Sequence, residues 1–243
     1  MTSLRVCAII PVYYERRIFS VKIKGIVFDM DGTLVDSLAF WDYFYRQCGI
    51  KYGRGEDFRP EEETEKRIRT LPFKEGMTLM HESCGIGDSA EALLSDAFTL
   101  CRKYYGEIVT VKDGVFDFLE YCQRNGVKMC VASATQSDLL AIVVERFGFK
   151  RYFPKIFSCG DIGVGKDRPD IFIMAQEYLG TEREQTFIFE DSVVAVQTAA
   201  AAGFGVVGIY DKYGFSHDEI ERLSDVYIAD GETMMKVANK GLV

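Results

Sequence analysis

From residue 113 onward the chain alternates between short apolar runs and helical stretches, and glycines close most of the helical stretches, a pattern that few folds accept. Gly114–Asn125 places Val115, Phe118, Leu119 and Cys122 on one helical face and ends at Gly126. Val127–Ala132 then reads as a strand, Ser137–Phe147 as a helix stopped by Gly148, Lys155–Cys159 as a short strand, and Pro169–Leu179 as a helix stopped by Gly180. Thr186–Phe189, Gly205–Ile209 and Val226–Ile228 complete the strands, with an alanine-rich helix over Val193–Ala202. These strands are apolar almost throughout, as strands covered on both faces are. Strand–helix repeats of this kind predict an α/β fold with a doubly wound parallel sheet and right-handed crossovers. Val21 through Phe28 is the expected first strand. Residues 38–106 break the rhythm with charge and helix formers and no convincing strand. The predicted organisation is an extension over 1–20, a core from 21–37 and 107–243, and a helical insert over 38–106.

Charge narrows the function. A chain of 243 residues with a net charge of −8 lacks the basic face that nucleic acid requires. The apolar run Val6–Tyr14 is far too short to span a bilayer, and it has only a weakly basic start and no small-residue cleavage site. Segment 1–20 reads as a poorly ordered extension or an overlong start, with an edge strand as the competing reading. Cysteines at positions 7, 48, 84, 101, 122, 130 and 159 show no C-x-x-C spacing and fit reduced, buried thiols of a cytoplasmic protein. His81 and His217 are the only histidines, too few for a histidine triad or a zinc cluster. The expectation is a soluble monomer that binds a small ligand, with neither nucleic acid nor membrane as partner.

The chemistry concentrates where strands end. Asp29-Met30-Asp31-Gly32-Thr33 leaves the first strand, and residues two apart in extended chain point the same way, so Asp29 and Asp31 face one spot. Two such carboxylates repel unless a cation or a proton intervenes. Ser133 follows the second strand, Lys166 lies in the loop after the third, and Glu190-Asp191 follows the fourth. In a parallel sheet these ends converge on one edge. Together they suit phosphoryl transfer: Asp29 as a nucleophile forming an acyl phosphate, and Asp31 as acid and base. Asp191, Asp29 and the Asp31 carbonyl offer hard oxygens for Mg²⁺, while Ser133 and Lys166 orient phosphoryl oxygens. Singly, each has an ordinary explanation: Ser133 as a helix cap, Lys166 as a solvated loop lysine, Glu190 and Asp191 as first-turn acids. Asp36-Ser37 reads as the N-cap of the first insert helix. All four stretches in order leave the ordinary account unconvincing.

The stretches FDMDGTLVDS (28–37), VASAT (131–135), GVGKDRPD (163–170) and FEDS (189–192) resemble the motifs of the haloacid dehalogenase superfamily. The resemblance is to the branch with a small helical cap after the first motif, typified by β-phosphoglucomutase and phosphoglycolate phosphatase. It extends over about residues 22–240. It implies a nucleophilic Asp29 that also binds Mg²⁺, Asp31 as acid/base with its carbonyl on the metal, and phosphate contacts from Thr33, Ser133, Ala134 and Lys166. It further implies that Asp191 completes the metal site, with Glu190 a ligand or its hydrogen-bonded partner. Halide-removing members lack the second aspartate and use no metal; phosphonate-cleaving members lack it too and rely on a cap lysine. Sugar phosphomutases share the Glu-Asp pair but carry a histidine twelve positions after the nucleophile, where this chain has Trp41.

The expected function is therefore Mg²⁺-dependent hydrolysis of a small phosphorylated metabolite, with a sugar phosphomutase as the alternative and a non-catalytic phosphate sensor as a more distant one. Thr70–Gly76 is the expected substrate-facing cap loop, punctuated by Pro72 and Gly76. Trp41, Arg69, Leu71, Phe73 and Lys74 are its candidate specificity residues, with packing inside the cap as the competing role for Leu71 and Phe73. Trp41 and Tyr45, one helical turn apart, either line the pocket or fasten cap to core.

Overall fold

A computed structural model of the chain describes residues 21–243; the expectation for segment 1–20 lies outside the described residues. Strand β1 (Gly25–Phe28) is buried at every position, as a run of GIVF demands. After it come helices α1 (Phe40–Lys51), α2 (Glu62–Thr70), α3 (Phe73–Cys84) and α4 (Ala90–Lys103), a π-helical turn (Tyr104–Ile108) and α5 (Val115–Arg124). The alternation then runs β2 (Lys128–Ser133), α6 (Ser137–Arg146), β3 (Ile156–Ser158), the single turn α7 (Cys159–Ile162), α8 (Asp170–Leu179), β4 (Thr186–Glu190) and α9 (Val193–Ala201). It closes with β5 (Gly205–Ile209), α10 (His217–Leu223), β6 (Val226–Ile228) and α11 (Met235–Asn239).

Among the described residues the strands form one parallel sheet of six in the order β3-β2-β1-β4-β5-β6. Period-two alternation divides each strand between two cores. Ile26, Phe28, Met129, Val131, Phe187 and Phe189 pack with α5, α6 and α11 on one face. Val27, Cys130, Ala132, Ile188 and Val206 pack with α8, α9 and α10 on the other. The doubly wound α/β architecture read from the sequence is the one observed.

The chain leaves and re-enters the sheet through paired segments. Val35 bridges Val111 antiparallel, the Asp36 amide donates to Thr110 O at 2.9 Å, and the Lys112 amide to Leu34 O at 3.0 Å. This pairing explains why Asp36-Ser37 does not cap α1. The helix starts three residues later at Phe40, its N-cap Ala39 makes no side-chain bond, and the Asp36 carboxylate sits 2.8 Å from Lys112 Nζ.

α1 to α4 bury their own apolar set, including Phe44, Tyr45, Ile68, Met77, Met80 and Leu93. The charged α2 contributes Ile68 alone as a fully buried side chain. The expected loop Thr70–Gly76 shrinks to Leu71 and Pro72, because Phe73 already begins α3. Gly76 does not interrupt that helix. It lets α3 cross α2 closely, and a Cβ there would lie 2.5 Å from the Ile68 carbonyl oxygen.

Candidate active site

β1 and β4 are neighbours, with Phe28 opposite Phe189, and the strand order runs outward on either side of them. Ligands in open α/β sheets bind at such a reversal, beyond the carboxyl ends of the strands. Asp29 leaves β1 there, its amide donating to Phe189 O at 2.9 Å, and Glu190 ends β4 with Asp191 beside it. Ser133 ends β2, and Lys166 arrives from the loop that follows α7.

Lys166 joins two of these ends. Its Nζ lies 2.5 Å from Asp29 Oδ1 and also donates to Glu190 Oε1, with 9 % of the side chain exposed. Burial works against that ammonium, but Asp29 and Glu190 outweigh it and hold its pKa above the ordinary lysine value. For Asp29, burial is the strongest influence and pushes the carboxyl up to about 8; Lys166 opposes this, while Glu190 and Asp31 add to it. Burial, then repulsion from Glu190 and Asp29, raises Asp191 well above the carboxylate range.

The same carboxylates could hold a cation. Carboxylate oxygens of Asp29, Glu190 and Asp191 all lie within 4.8 Å of one another, and all three residues are buried. One ammonium cannot neutralise three such groups, whereas that ammonium together with a divalent cation that prefers hard oxygen ligands can. Glu190 is already engaged: Oε1 faces Lys166, and Oε2 accepts from the Asp191 and Ser192 amides at 3.1 and 3.0 Å. Asp29 and Asp191 carry fewer such bonds, and Glu190, besides facing the same spot, orients Lys166. Gly32, at φ +77°, makes room for the arrangement, since a Cβ there would stand 2.3 Å from Asp191 Oδ2. Thr33 directs its buried hydroxyl to Asp191 Oδ1 at 3.0 Å.

Asp31 has different company. Its Oδ1 accepts from the Tyr105 hydroxyl at 2.6 Å, and Oδ2 accepts from Thr135 Oγ1 at 2.7 Å with Ser133 Oγ at 3.5 Å. Ser133 Oγ is in turn bonded by the Thr135 amide at 3.1 Å, and Ala134 is exposed. Tyr105 and Thr135 were not among the sequence candidates. Thr135 had a signal, because the spacing of two that joins Asp29 to Asp31 also joins Ser133 to Thr135. Tyr105 had none; it lies 74 positions from its partner.

The candidate specificity residues divide. Trp41 packs against Phe40, Phe44, Tyr45 and Phe73, and Phe73 against Phe98, so these aromatics form a cluster within the helices. Leu71 and Lys74 are exposed. Arg69 is part-buried, donates to Tyr213 O, and stacks over the Phe215 ring at 4.6 Å, fastening α2 to the loop after β5. An open groove of about 470 Å³ lies between α4 and the turn after β2, lined by Glu91, Ser95, Thr99, Arg102 and Gln136 among others.

Among the described residues no helix is long and apolar enough to cross a membrane. In comparison with known proteins, the chain is 27% identical over 188 residues to a phosphorylated carbohydrates phosphatase of Thermotoga maritima, covering 76% of this chain and 85% of that one. It is 27% identical over 227 residues to a phosphoglycolate phosphatase of Escherichia coli O157:H7, covering 83% of this chain and 86% of the relative. Its fold matches the crystal structure of a putative β-phosphoglucomutase from Thermotoga maritima with a TM-score of 0.76 at 24% identity, over 90% of this chain and 99% of that one. The family description haloacid dehalogenase-like hydrolase matches residues 23–203, which takes in β1 through α9 and all four strand ends that build the site. By that match the chain belongs to the haloacid dehalogenase-like hydrolases.

Proposed function

We propose that the protein is a Mg²⁺-dependent phosphatase that hydrolyses a small phosphorylated carbohydrate through an aspartyl phosphate on Asp29. The observation that carries this reading is the contact between Lys166 and Asp29 beside the Asp29–Glu190–Asp191 cluster. It gathers a carboxylate nucleophile, a phosphate-neutralising ammonium and a cation site at one sheet edge.

In this reading Asp29, Asp191 and the Asp31 carbonyl hold Mg²⁺, which when bound supplies positive charge against the transferring phosphoryl oxygens. Lys166 and Ser133 orient those oxygens. An Asp29 carboxylate oxygen attacks phosphorus, the bond from phosphorus to the substrate oxygen breaks, and the Asp31 carboxyl proton passes to that oxygen. Asp31 then takes a proton from water as the water oxygen attacks phosphorus; the bond to Asp29 breaks and inorganic phosphate leaves. The helices over 38–106 act as a cap whose closure on the core excludes bulk water. The groove between α4 and Gln136 offers a substrate body both polar side chains, Ser95, Thr99 and Arg102, and apolar ones, Leu94 and Phe98.

A carbohydrate preference is also supported by the phosphorylated carbohydrates phosphatase relative. The phosphomutase reading is weaker, because the place expected for a proton-relaying histidine holds Trp41, committed to an aromatic cluster. The test is phosphate release from a panel of sugar phosphates, nucleotides and aryl phosphates, with Mg²⁺ and with EDTA, for wild type and Asp29→Asn. Metal-dependent release that the substitution abolishes supports the reading. Release by Asp29→Asn at wild-type rates overturns the aspartyl phosphate, and no release from any compound by folded protein overturns the hydrolase.

A further inference from the structure

The π-helical turn Tyr104–Ile108 is an unusual element, and such turns cluster at functional sites. Here it is closed by the Val109 amide donating to Tyr104 O at 2.9 Å, a bond across five residues. The extra residue in the turn re-aims the side chains that α4 would otherwise present. The turn is also anchored from the core side. Arg146 of α6 donates to Tyr105 O at 2.9 Å and to Glu107 O at 3.2 Å, its guanidinium lying 4.8 Å from the Phe147 ring centre. The result is a buried Tyr105 whose hydroxyl meets Asp31 Oδ1 at 2.6 Å.

We propose that Tyr105 is a positioning residue for Asp31, fixing the rotation of that carboxyl so that it meets the leaving-group oxygen of the substrate. The inference rests on the reading of Asp31 as the proton donor. Tyr105 holds one carboxylate oxygen and Thr135 the other at 2.7 Å, so the plane of the group is set by two hydroxyls from separate parts of the chain. Hydroxyls suit this task because each both donates and accepts. The same pair holds Asp31 when it carries the proton and after the proton has passed to the leaving oxygen. A lysine or a backbone amide can only donate, so it cannot accept the O–H of the protonated acid. Proton transfer depends steeply on alignment, and a misaligned acid costs most where the leaving group most needs its proton.

The experiment compares kcat/KM, which reports formation of the aspartyl phosphate, for 2,4-dinitrophenyl, 4-nitrophenyl and phenyl phosphate and for glucose 6-phosphate. Wild type, Tyr105→Phe and Asp31→Asn are measured, with circular dichroism and Tm to establish folding. The expected result for Tyr105→Phe is a loss of about 10- to 100-fold for phenyl phosphate and glucose 6-phosphate and under about 3-fold for 2,4-dinitrophenyl phosphate, within the range general acids contribute. Asp31→Asn gives a dependence on leaving-group basicity in the same direction and steeper. A loss equal for all substrates, or no loss, overturns the proposal and assigns Tyr105 to packing. Where Tyr105→Phe does not fold, Thr135→Val removes the other hydroxyl that sets the Asp31 carboxyl, and a loss equal for all substrates there overturns the proposal equally. Asp29→Asn separates the two levels: its retained activity overturns the underlying reading and this proposal with it, whereas an inactive Asp29→Asn beside a uniform Tyr105→Phe loss overturns this proposal alone.

Discussion

Gly32 lies against Asp191 so closely that a Cβ on the glycine would come within 2.3 Å of Oδ2 and 2.6 Å of Cγ. The turn that carries Asp29 and Asp31 and the turn that carries Asp191 are therefore in register only while position 32 has no side chain. The φ of +77° adds a second requirement in the same direction. Gly32→Ala is expected to cost about 1–2 kcal/mol in backbone strain alone. It also displaces the Asp191 carboxylate, so the rise in Tm on adding Mg²⁺ shrinks more than the metal-free Tm falls. Differential scanning fluorimetry with Mg²⁺ and with EDTA separates the two effects.

The buried carboxylates make stability depend on pH in an unusual direction. Burial raises Asp29 from 3.8 to about 8, so between those values the folded protein holds a proton that the unfolded chain has released. Stability therefore falls as pH rises through that window, the reverse of an ordinary salt-bridged aspartate. The raised Asp191 acts in the same sense. Urea unfolding in EDTA from pH 5 to 8 is expected to show a declining midpoint that Asp29→Asn flattens and that saturating Mg²⁺ also flattens. A midpoint that climbs through the window would count against the burial argument.

Lys112 ties the returning chain to the loop after β5. Its ammonium lies 2.8 Å from both Asp36 and Asp211, but Asp36 is 48 % exposed and Asp211 only 4 %. Lys112→Met leaves Asp211 buried without its cation and is expected to cost about 3–5 kcal/mol in chemical denaturation. Asp36→Asn removes the solvated partner and is expected to cost under about 1 kcal/mol. Equal losses would show that the two pairs are not distinguished by burial.

At Gly76 two general rules oppose each other. Alanine gains about 1 kcal/mol over glycine within a helix. Here the added methyl meets the Ile68 carbonyl oxygen at 2.5 Å, and a backbone atom in a packed helix cannot swing aside. Overpacking of this kind costs about 1–3 kcal/mol, so Gly76→Ala is expected to lower Tm, whereas an exposed helical glycine changed to alanine raises it.

The sheet was legible because each strand is a short apolar block between glycines and polar turns; Val226–Ile228 agrees residue for residue, and Thr186–Phe189 differs by one. The contact of Asp29, Lys166 and Glu190 was legible for a related reason, since parallel strands deliver their C-terminal ends to one edge. What the sequence withheld depends on distant partners. Asp36 reads locally as a cap, yet the antiparallel pairing of 34–36 with 110–112 claims it for Lys112. Gly76 reads as a break, yet its lack of a side chain serves a helix crossing. Tyr105 is aimed by a π-helical turn that no local periodicity announces. Glu190 also takes hydrogen bonds from Lys166 and two amides, a second engagement that its place after a strand does not announce.

The bridge between Val35 and Val111 has a consequence for how such a chain tolerates change. To the sheet, everything between those two residues is the loop of a hairpin, because its ends are fastened side by side. The entropic cost of closing a loop grows only with the logarithm of its length, so exchanging these helices for a short turn would alter it by about 2–3 kcal/mol. Elements grafted at such a seam can be lengthened, shortened or replaced while β1 keeps its register with β2 and β4. Tyr105 apart, the chain thus separates the strand ends that carry the chemistry from a segment free to diverge, and it makes the division at one antiparallel bridge.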